Sequence, residues 1–249
     1  LLQCSAGLVN TFVLRQQFEW ALEGATYDDD LWVGAKGTIA TPTEAARRKT
    51  CAMFMETSLF VITLGLSEVW YQRRGGATRD SATCGEDEDD ESGDMEPLRG
   101  CDVLWRAVPS DRYDASRHGF RATTVSENVS NLRRIVRLVR KHVPGASIVF
   151  TVSPVPLAAT FRGVSCVTAN ASSKAVLRVA VDELLRGYGL GGHALGEPGH
   201  EGTSGGSGDG RRDGVGGLFY WPAYEMVKEG FRDAYLDDGR HPKPEVVRE

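Results

Sequence analysis

Near the C-terminus stands Asp238-Gly239-Arg240-His241-Pro242. An Asp three residues before a His on one short loop can accept the Nδ1 proton, fix the tautomer and leave Nε2 free as a general base toward a hydroxyl nucleophile. Such a segment supplies two of the three members of a Ser-His-Asp triad. By itself the spacing reads more simply as a surface loop with an aspartate cap and an exposed histidine. A second candidate lies in Thr63-Leu64-Gly65-Leu66-Ser67-Glu68-Val69-Trp70. Gly65 lets a backbone or a substrate oxygen approach closely, and Ser67, small and polar, can offer a donor to a developing oxyanion. The plainer alternative is a tight turn at Gly65 with Glu68 as a cap. The third is Ser153-Pro154-Val155-Pro156-Leu157-Ala158-Ala159-Thr160, where each proline fixes its own φ and pushes its predecessor out of the helical region. That stiffness suits a site wall and a structural turn equally, so Ser153 enters as a wall candidate.

The remaining reactive side chains suggest less. His118 and His142 lack an acidic partner at such spacing and read as polar surface positions, while His193 and His200 read as incidental loop residues, because a metal site needs further ligands in fixed geometry. The five cysteines (Cys4, Cys51, Cys84, Cys101, Cys166) form no CxxC pair and have no His at ligand spacing. Neither a zinc site nor a dense disulfide framework is indicated, and the odd count favours a reducing compartment.

The elements that must position these residues follow from apolar periodicity. Thr11 to Glu23 has helical spacing, and Thr41 or Thr43 with Glu44 caps a helix running toward Met55. Leu59 to Leu64 is a short apolar run ending at Gly65, expected as a strand buried on both faces. Val125 to His142 is helical and is stopped by Pro144-Gly145. Ser147 to Val152 is another buried strand, Ser172 or Ser173 opens a helix through Leu184, and Leu218 to Trp221 is a third strand closed by Pro222. Strand, helix, strand, helix, strand indicates a parallel α/β sheet, whose ligand site lies beyond the carboxyl ends of its strands. The three candidate segments follow from that rule: 65–70, 153–160 and 222–225.

The chain has 249 residues, with 29 Lys+Arg against 34 Asp+Glu and a formal net charge of -5. Nine carboxylates and one Arg fall between Arg79 and Glu96, so the rest of the chain is mildly basic. No dense cationic block suggests nucleic acid. Arg133, Arg134, Arg137, Arg140 and Lys141 recur at helical spacing and are expected to form a solvated helix face. The longest apolar run, Leu59 to Leu66, has eight residues and already contains Thr63 and Gly65, far short of a membrane span. Two stretches look like disordered insertions into a single domain spanning 1–249. One is the acidic segment 73–100, and the other is 187–217, which holds 14 of the 29 glycines.

Thr63 to Trp70 (TLGLSEVW), Thr151 to Thr160 (TVSPVPLAAT), Ser173 to Arg178 (SKAVLR) and Tyr220 to Glu225 (YWPAYE), in this order, resemble the GSCFA-domain proteins. Asn10-Thr11 followed by Gln16, Phe18, Glu19 and Trp20 resembles the segment after that family's first block. The family is in turn similar to the SGNH/GDSL hydrolases. The resemblance implies a flavodoxin-like three-layer α/β/α fold with a mostly parallel sheet. It also implies a nucleophilic Ser at the first strand end, an oxyanion hole completed by Gly and Asn, and a C-terminal DxxH. Asp238 and His241 fit the DxxH, and Gly65-Leu66-Ser67-Glu68 occupies the GxND block with Ser67 in place of Asn. The GSCFA pentapeptide does not occur in the sequence, so the first strand and its nucleophile are expected upstream of Leu1; Ser5 lacks a preceding strand.

The expected activity is that of a serine ester hydrolase or acyl transferase acting on a small-molecule or carbohydrate-linked ester. His241 would be the base, Asp238 its orienter, Gly65 and Ser67 would lie near the oxyanion, and Glu68 and Ser153 would line the site. No metal or organic cofactor is required for such chemistry. The alternatives are a non-catalytic domain that binds a carbohydrate or acyl group on the same fold, and an adaptor acting through the acidic segment. Substrate, compartment and oligomeric state are not legible in the sequence.

Overall fold

A computed structural model describes residues 10–27, 43–73, 101–104, 108, 110–188 and 216–248. Helix α1 (Thr11–Glu23) starts at Asn10, whose side chain accepts the Val13 N–H. It stops at Gly24, which takes the left-handed φ of 71° that a side chain would resist. Helix α2 (Glu44–Met55) is capped by Thr43. Strands β1 (Leu59–Leu64), β2 (Glu68–Arg73), β3 (Cys101–Val103) and β4 (His118–Ala122) follow. Helix α3 (Val125–His142) opens on a reciprocal capping box between Thr124 and Glu127. Strand β5 (Ser147–Val152), helix α4 (Cys166–Gly187), strand β6 (Leu218–Trp221), helix α5 (Ala223–Gly230) and helix α6 (Pro244–Arg248) complete the order.

The architecture is mixed α/β. A parallel sheet runs β1-β5-β6, and a small antiparallel sheet runs β3-β2-β4. The parallel register sets Ile62 beside Phe150 and Phe150 beside Tyr220, so β5 is central. Phe60, Ile62, Leu64, Ile148, Phe150, Val152 and Leu218 point into one core, where they meet Phe12, Phe18, Leu132, Ile135, Leu177 and Leu184. Helix α3 packs against both α1 and α4. The rings of Phe18, Phe54 and Phe60 seal the α1 end of this core, with centroids 4.8 to 5.6 Å apart.

Strand β1 is not buried on both faces: its side chains alternate, with Leu59 50% and Val61 63% exposed. Phe219 and Trp221 of β6 are also more than half exposed. The reason is that β1 is an edge of the described sheet and that successive strand side chains point to opposite faces, only one of which meets the main core. Helix α4 starts at Ser165, whose side chain accepts the Thr168 N–H, not at Ser172 or Ser173. Arg134 pairs with Glu19 and Glu23 of α1, Lys141 pairs with Glu23, and Arg140 donates to the carbonyls of Ala146 and Gly217. These three basic side chains bind neighbouring elements and are not a purely solvated face.

Of the two stretches expected to be insertions, Arg73 closes β2 and Gly187 closes α4, while Gly216 and Gly217 lead into β6. The rest of both, 74–100 and 189–215, lies outside the described residues, as do Ser5, His193, His200, Cys4 and Cys84. Among the described residues no helix is long and apolar enough to cross a membrane.

Candidate functional site

The three candidate segments share the carboxyl-end rim of the parallel sheet. The Ser153 N–H donates to the Leu64 carbonyl at 2.8 Å, which extends the β1–β5 pairing by one step, so Gly65 and Ser153 leave the sheet side by side. Ser153 Oγ then accepts the Val155 N–H at 3.2 Å and starts the proline-rich wall. The C-terminal loop leans on that wall through two contacts. The Tyr235 hydroxyl donates to the Pro154 carbonyl at 3.1 Å, and Arg240 Nη2 donates to the Pro156 carbonyl at 3.4 Å. Segment 153–157 thus stands between the end of β1 and the loop carrying Asp238 and His241.

That loop is held by its own backbone. Leu236 N–H donates to the His241 carbonyl and Lys243 N–H to the Ala234 carbonyl, both at 2.9 Å, while Gly239 turns at a φ of 64°. Asp238 then makes three contacts at once: His241 Nδ1 at 2.5 Å, the His241 N–H at 3.0 Å and the Arg240 N–H at 2.9 Å. An ionised carboxylate only accepts, so Nδ1 carries the proton, and in the neutral ring the free electron pair is that of Nε2. Among the described residues Nε2 has no partner, and the His241 side chain is 57% exposed.

The hydrogen bond from the His241 ring, followed by the two backbone N–H groups, holds the Asp238 carboxyl far below its ordinary value of 3.8. A carboxyl whose folded value is depressed stabilises the fold above the unfolded value, and that contribution is lost only as pH falls through the lowered folded value. The pair should therefore persist through mildly acid solution. A carbon-13 titration of the Asp238 carboxyl is expected to give a midpoint well under 3.8; a midpoint at or above it means that the pair does not form.

The loop after β1 is built differently. Ser67 is 2% and Glu68 5% exposed, so neither is a surface cap. The Ser67 N–H donates to Ser173 Oγ at 2.6 Å, and its carbonyl accepts from the Thr123 N–H at 2.7 Å and the Thr123 hydroxyl at 2.8 Å. Glu68 accepts the Thr160 hydroxyl on both carboxylate oxygens, at 3.0 and 2.9 Å, with Arg162 at 3.7 Å. It ties the far end of the proline-rich wall to β2. Lys174 Nζ donates to the Gly65 carbonyl at 2.6 Å, and burial pushes its ammonium down to about 8.

Sequence reasoning does not identify Lys174, Ser173, Thr123 and Thr160 as site residues; it reads Ser173 as a helix start and Thr160 as the end of the proline-rich segment. The signal available was a lysine on the apolar stripe of a helix, at the start of SKAVLR; its interior position shows that a specific polar partner awaits it. Among the described residues no three or more His, Cys, Asp or Glu side chains gather as a metal site.

The family model for GSCFA matches residues 5–249. The chain belongs to the GSCFA family. No curated protein matches it, and no solved structure does. The GSCFA motifs meet one another in space. SKAVLR grips TLGLSE through Ser173 and Lys174, and it grips YWPAYE through Arg178, whose Nε donates to Glu225 at 2.9 Å while its guanidinium lies 4.5 Å from the Tyr220 ring centroid. The Tyr220 hydroxyl donates to the same Glu225 carboxylate at 2.7 Å. Beside the wall, Trp70 lies against Phe120, Phe161 and Tyr113 with centroids 4.8 to 5.9 Å apart, and Phe161 is 62% exposed. This aromatic group crosses from β2 to the end of the proline-rich segment.

Proposed function

We propose that this GSCFA chain is a serine ester hydrolase or acyl transferase domain of the SGNH type, acting on a small-molecule or carbohydrate-linked ester. The observation that carries this reading is the Asp238–His241 pair: Nδ1 is engaged by the carboxylate and Nε2 is left unpartnered on an exposed ring. In this role His241 takes the proton from a serine hydroxyl and returns it to the leaving alkoxide, while Asp238 holds the tautomer and stabilises the imidazolium. Gly65 and Ser153 serve as oxyanion-side and wall residues, and the buried Ser67 and Glu68 hold that part of the rim through Ser173, Thr123 and Thr160. The reading includes a single flavodoxin-like three-layer domain into which 73–100 and 187–217 are inserted. It takes the nucleophile to be the serine of a GSCFA block that the 249 residues do not contain.

The test uses the protein expressed from its complete reading frame and a fluorophosphonate probe. Labelling is expected, and His241→Ala should slow it by roughly 10³-fold or more. Labelling that is indifferent to His241 would overturn the proposal. A second reading, non-catalytic carbohydrate binding on the same rim, draws on the aromatic group of Trp70, Phe120 and Phe161, in which Phe161 is exposed and the other two are partly buried. It predicts no labelling of a folded protein, together with a change in tryptophan fluorescence on adding oligosaccharide.

A further inference from the structure

Two consecutive residues in the interior of α4, Ser173 and Lys174, are each 1% exposed and both turn onto the loop after β1. A polar pair at this depth is costly unless each group finds a fixed partner. Lys174 Nζ finds the Gly65 carbonyl and Ser173 Oγ finds the Ser67 N–H, each at 2.6 Å. Between those two contacts lies the whole of Leu66. A trans peptide is a rigid plate with its carbonyl oxygen and its N–H on opposite edges. No cis peptide occurs among the described residues. With the Gly65 carbonyl turned toward Lys174, the Leu66 N–H of the same plate is turned away from it. With the Ser67 N–H turned toward Ser173, the Leu66 carbonyl is likewise turned away. The Thr123 contacts pin the next plate through the Ser67 carbonyl.

The consequence separates Leu66 from Ser67. Ser67 is buried, and its N–H is spent on Ser173. Leu66 and Gly65 are only partly buried, and the Leu66 N–H has no partner among the described residues. A backbone donor held rigidly and left unpaired at the carboxyl-end rim is what a developing negative oxygen requires. We infer that Lys174, with Ser173, is a positioning residue that fixes the Gly65–Leu66–Ser67 peptides so that the Leu66 N–H is the donor offered to an oxyanion. The inference rests on the hydrolase reading for the identity of the anion, and on the hydrogen-bond geometry alone for the direction of the N–H.

The experiment therefore does not depend on turnover. Nitrogen-15-labelled protein is titrated with acetate, a carboxylate that mimics the anionic product, against chloride at matched ionic strength. The Leu66 amide proton is expected to move downfield with acetate and not with chloride. In Lys174→Met, which keeps an unbranched side chain one atom shorter and removes the ammonium, the apparent acetate affinity read at Leu66 should fall at least tenfold while the melting transition and the other amide positions persist. A Leu66 amide that ignores acetate, or one that responds equally in Lys174→Met, would overturn the inference. If Lys174→Met fails to fold, Ser173→Ala releases the other end of the same unit. It is expected to weaken the Leu66 response, and an unchanged response there is equally fatal. An acetate-responsive Leu66 in a protein that no fluorophosphonate labels would retire the hydrolase reading and leave an anion site in place.

Discussion

Phe150→Ala is expected to lower stability by about 3–5 kcal/mol, the range for removing a fully buried aromatic side chain and leaving a cavity that the surroundings fill only in part. Phe150 is 0% exposed on the central strand, flanked by Ile62 and Tyr220 and roofed by the helical layer. For a chain of this length, each kcal/mol corresponds to about 2–4 °C in the melting midpoint, so a drop on the order of 10 °C is anticipated. The control is Phe219→Ala on the neighbouring strand. Phe219 pairs with Val149 and is 51% exposed, so its loss should cost less than about 1 kcal/mol. Equal losses at the two positions, measured by thermal or denaturant unfolding, would show that the assignment of the core face is wrong.

The second large effect concerns the start of α3. The Glu127 side chain is 5% exposed, and its carboxylate meets the Arg121 guanidinium through two contacts, one of them to Nη1 at 3.0 Å. It also accepts the Thr124 N–H at 2.7 Å. Burial pushes the Glu127 carboxyl upward, but Arg121 and Thr124 together outweigh it, and the net direction is down. In the intact protein this contribution is present above the ordinary value of 4.5 and is lost as pH falls through the lowered folded value.

Arg121→Ala removes the cation and strands the carboxylate, a change that costs about 3–5 kcal/mol for buried pairs. The remaining Thr124 contacts favour the lower end of that range. With burial now unopposed by Arg121, the Glu127 carboxyl should titrate higher, so the deficit should be full near neutral pH and shrink as acid protonates it. Adding Glu127→Gln should restore most of the loss at pH 7. A deficit that does not change with pH, or a double variant no better than Arg121→Ala, would show that Glu127 is not the stranded group.

Much of the fold was legible because its signals are local. The spacing of Phe12, Leu14 and Phe18, the Thr43 cap ahead of Glu44, and the mostly apolar runs at 59–64 and 147–152 mark elements without reference to the rest of the chain. The antiparallel strands β2 to β4 escaped notice because they carry no such mark: β4 is uniformly half-buried, and β2 mixes Trp70 and Tyr71 with Glu68 and Arg73. Their pairing is a partnership between distant segments. Ser173 shows the same limit from the other side. Read locally, a serine ahead of an apolar stripe is a helix cap; in space it lies well inside α4 and accepts a hydrogen bond from a residue 106 positions away.

By itself the amino-acid sequence determined the parallel strand-helix alternation, the DxxH spacing that lets one short loop hold a carboxylate against an imidazole, and the order of motifs that marks the GSCFA family. All three depend on neighbours along the chain or on motif order, so they survive without coordinates. Only the tertiary structure decided which face of β1 and β6 is covered, that Ser67 and Glu68 lie inside, and that Lys174 reaches the Gly65 carbonyl. Those outcomes are set by which distant elements stack together and by the cost of burying a charge or an N–H without a partner. That cost leaves almost no trace in the spacing of residues.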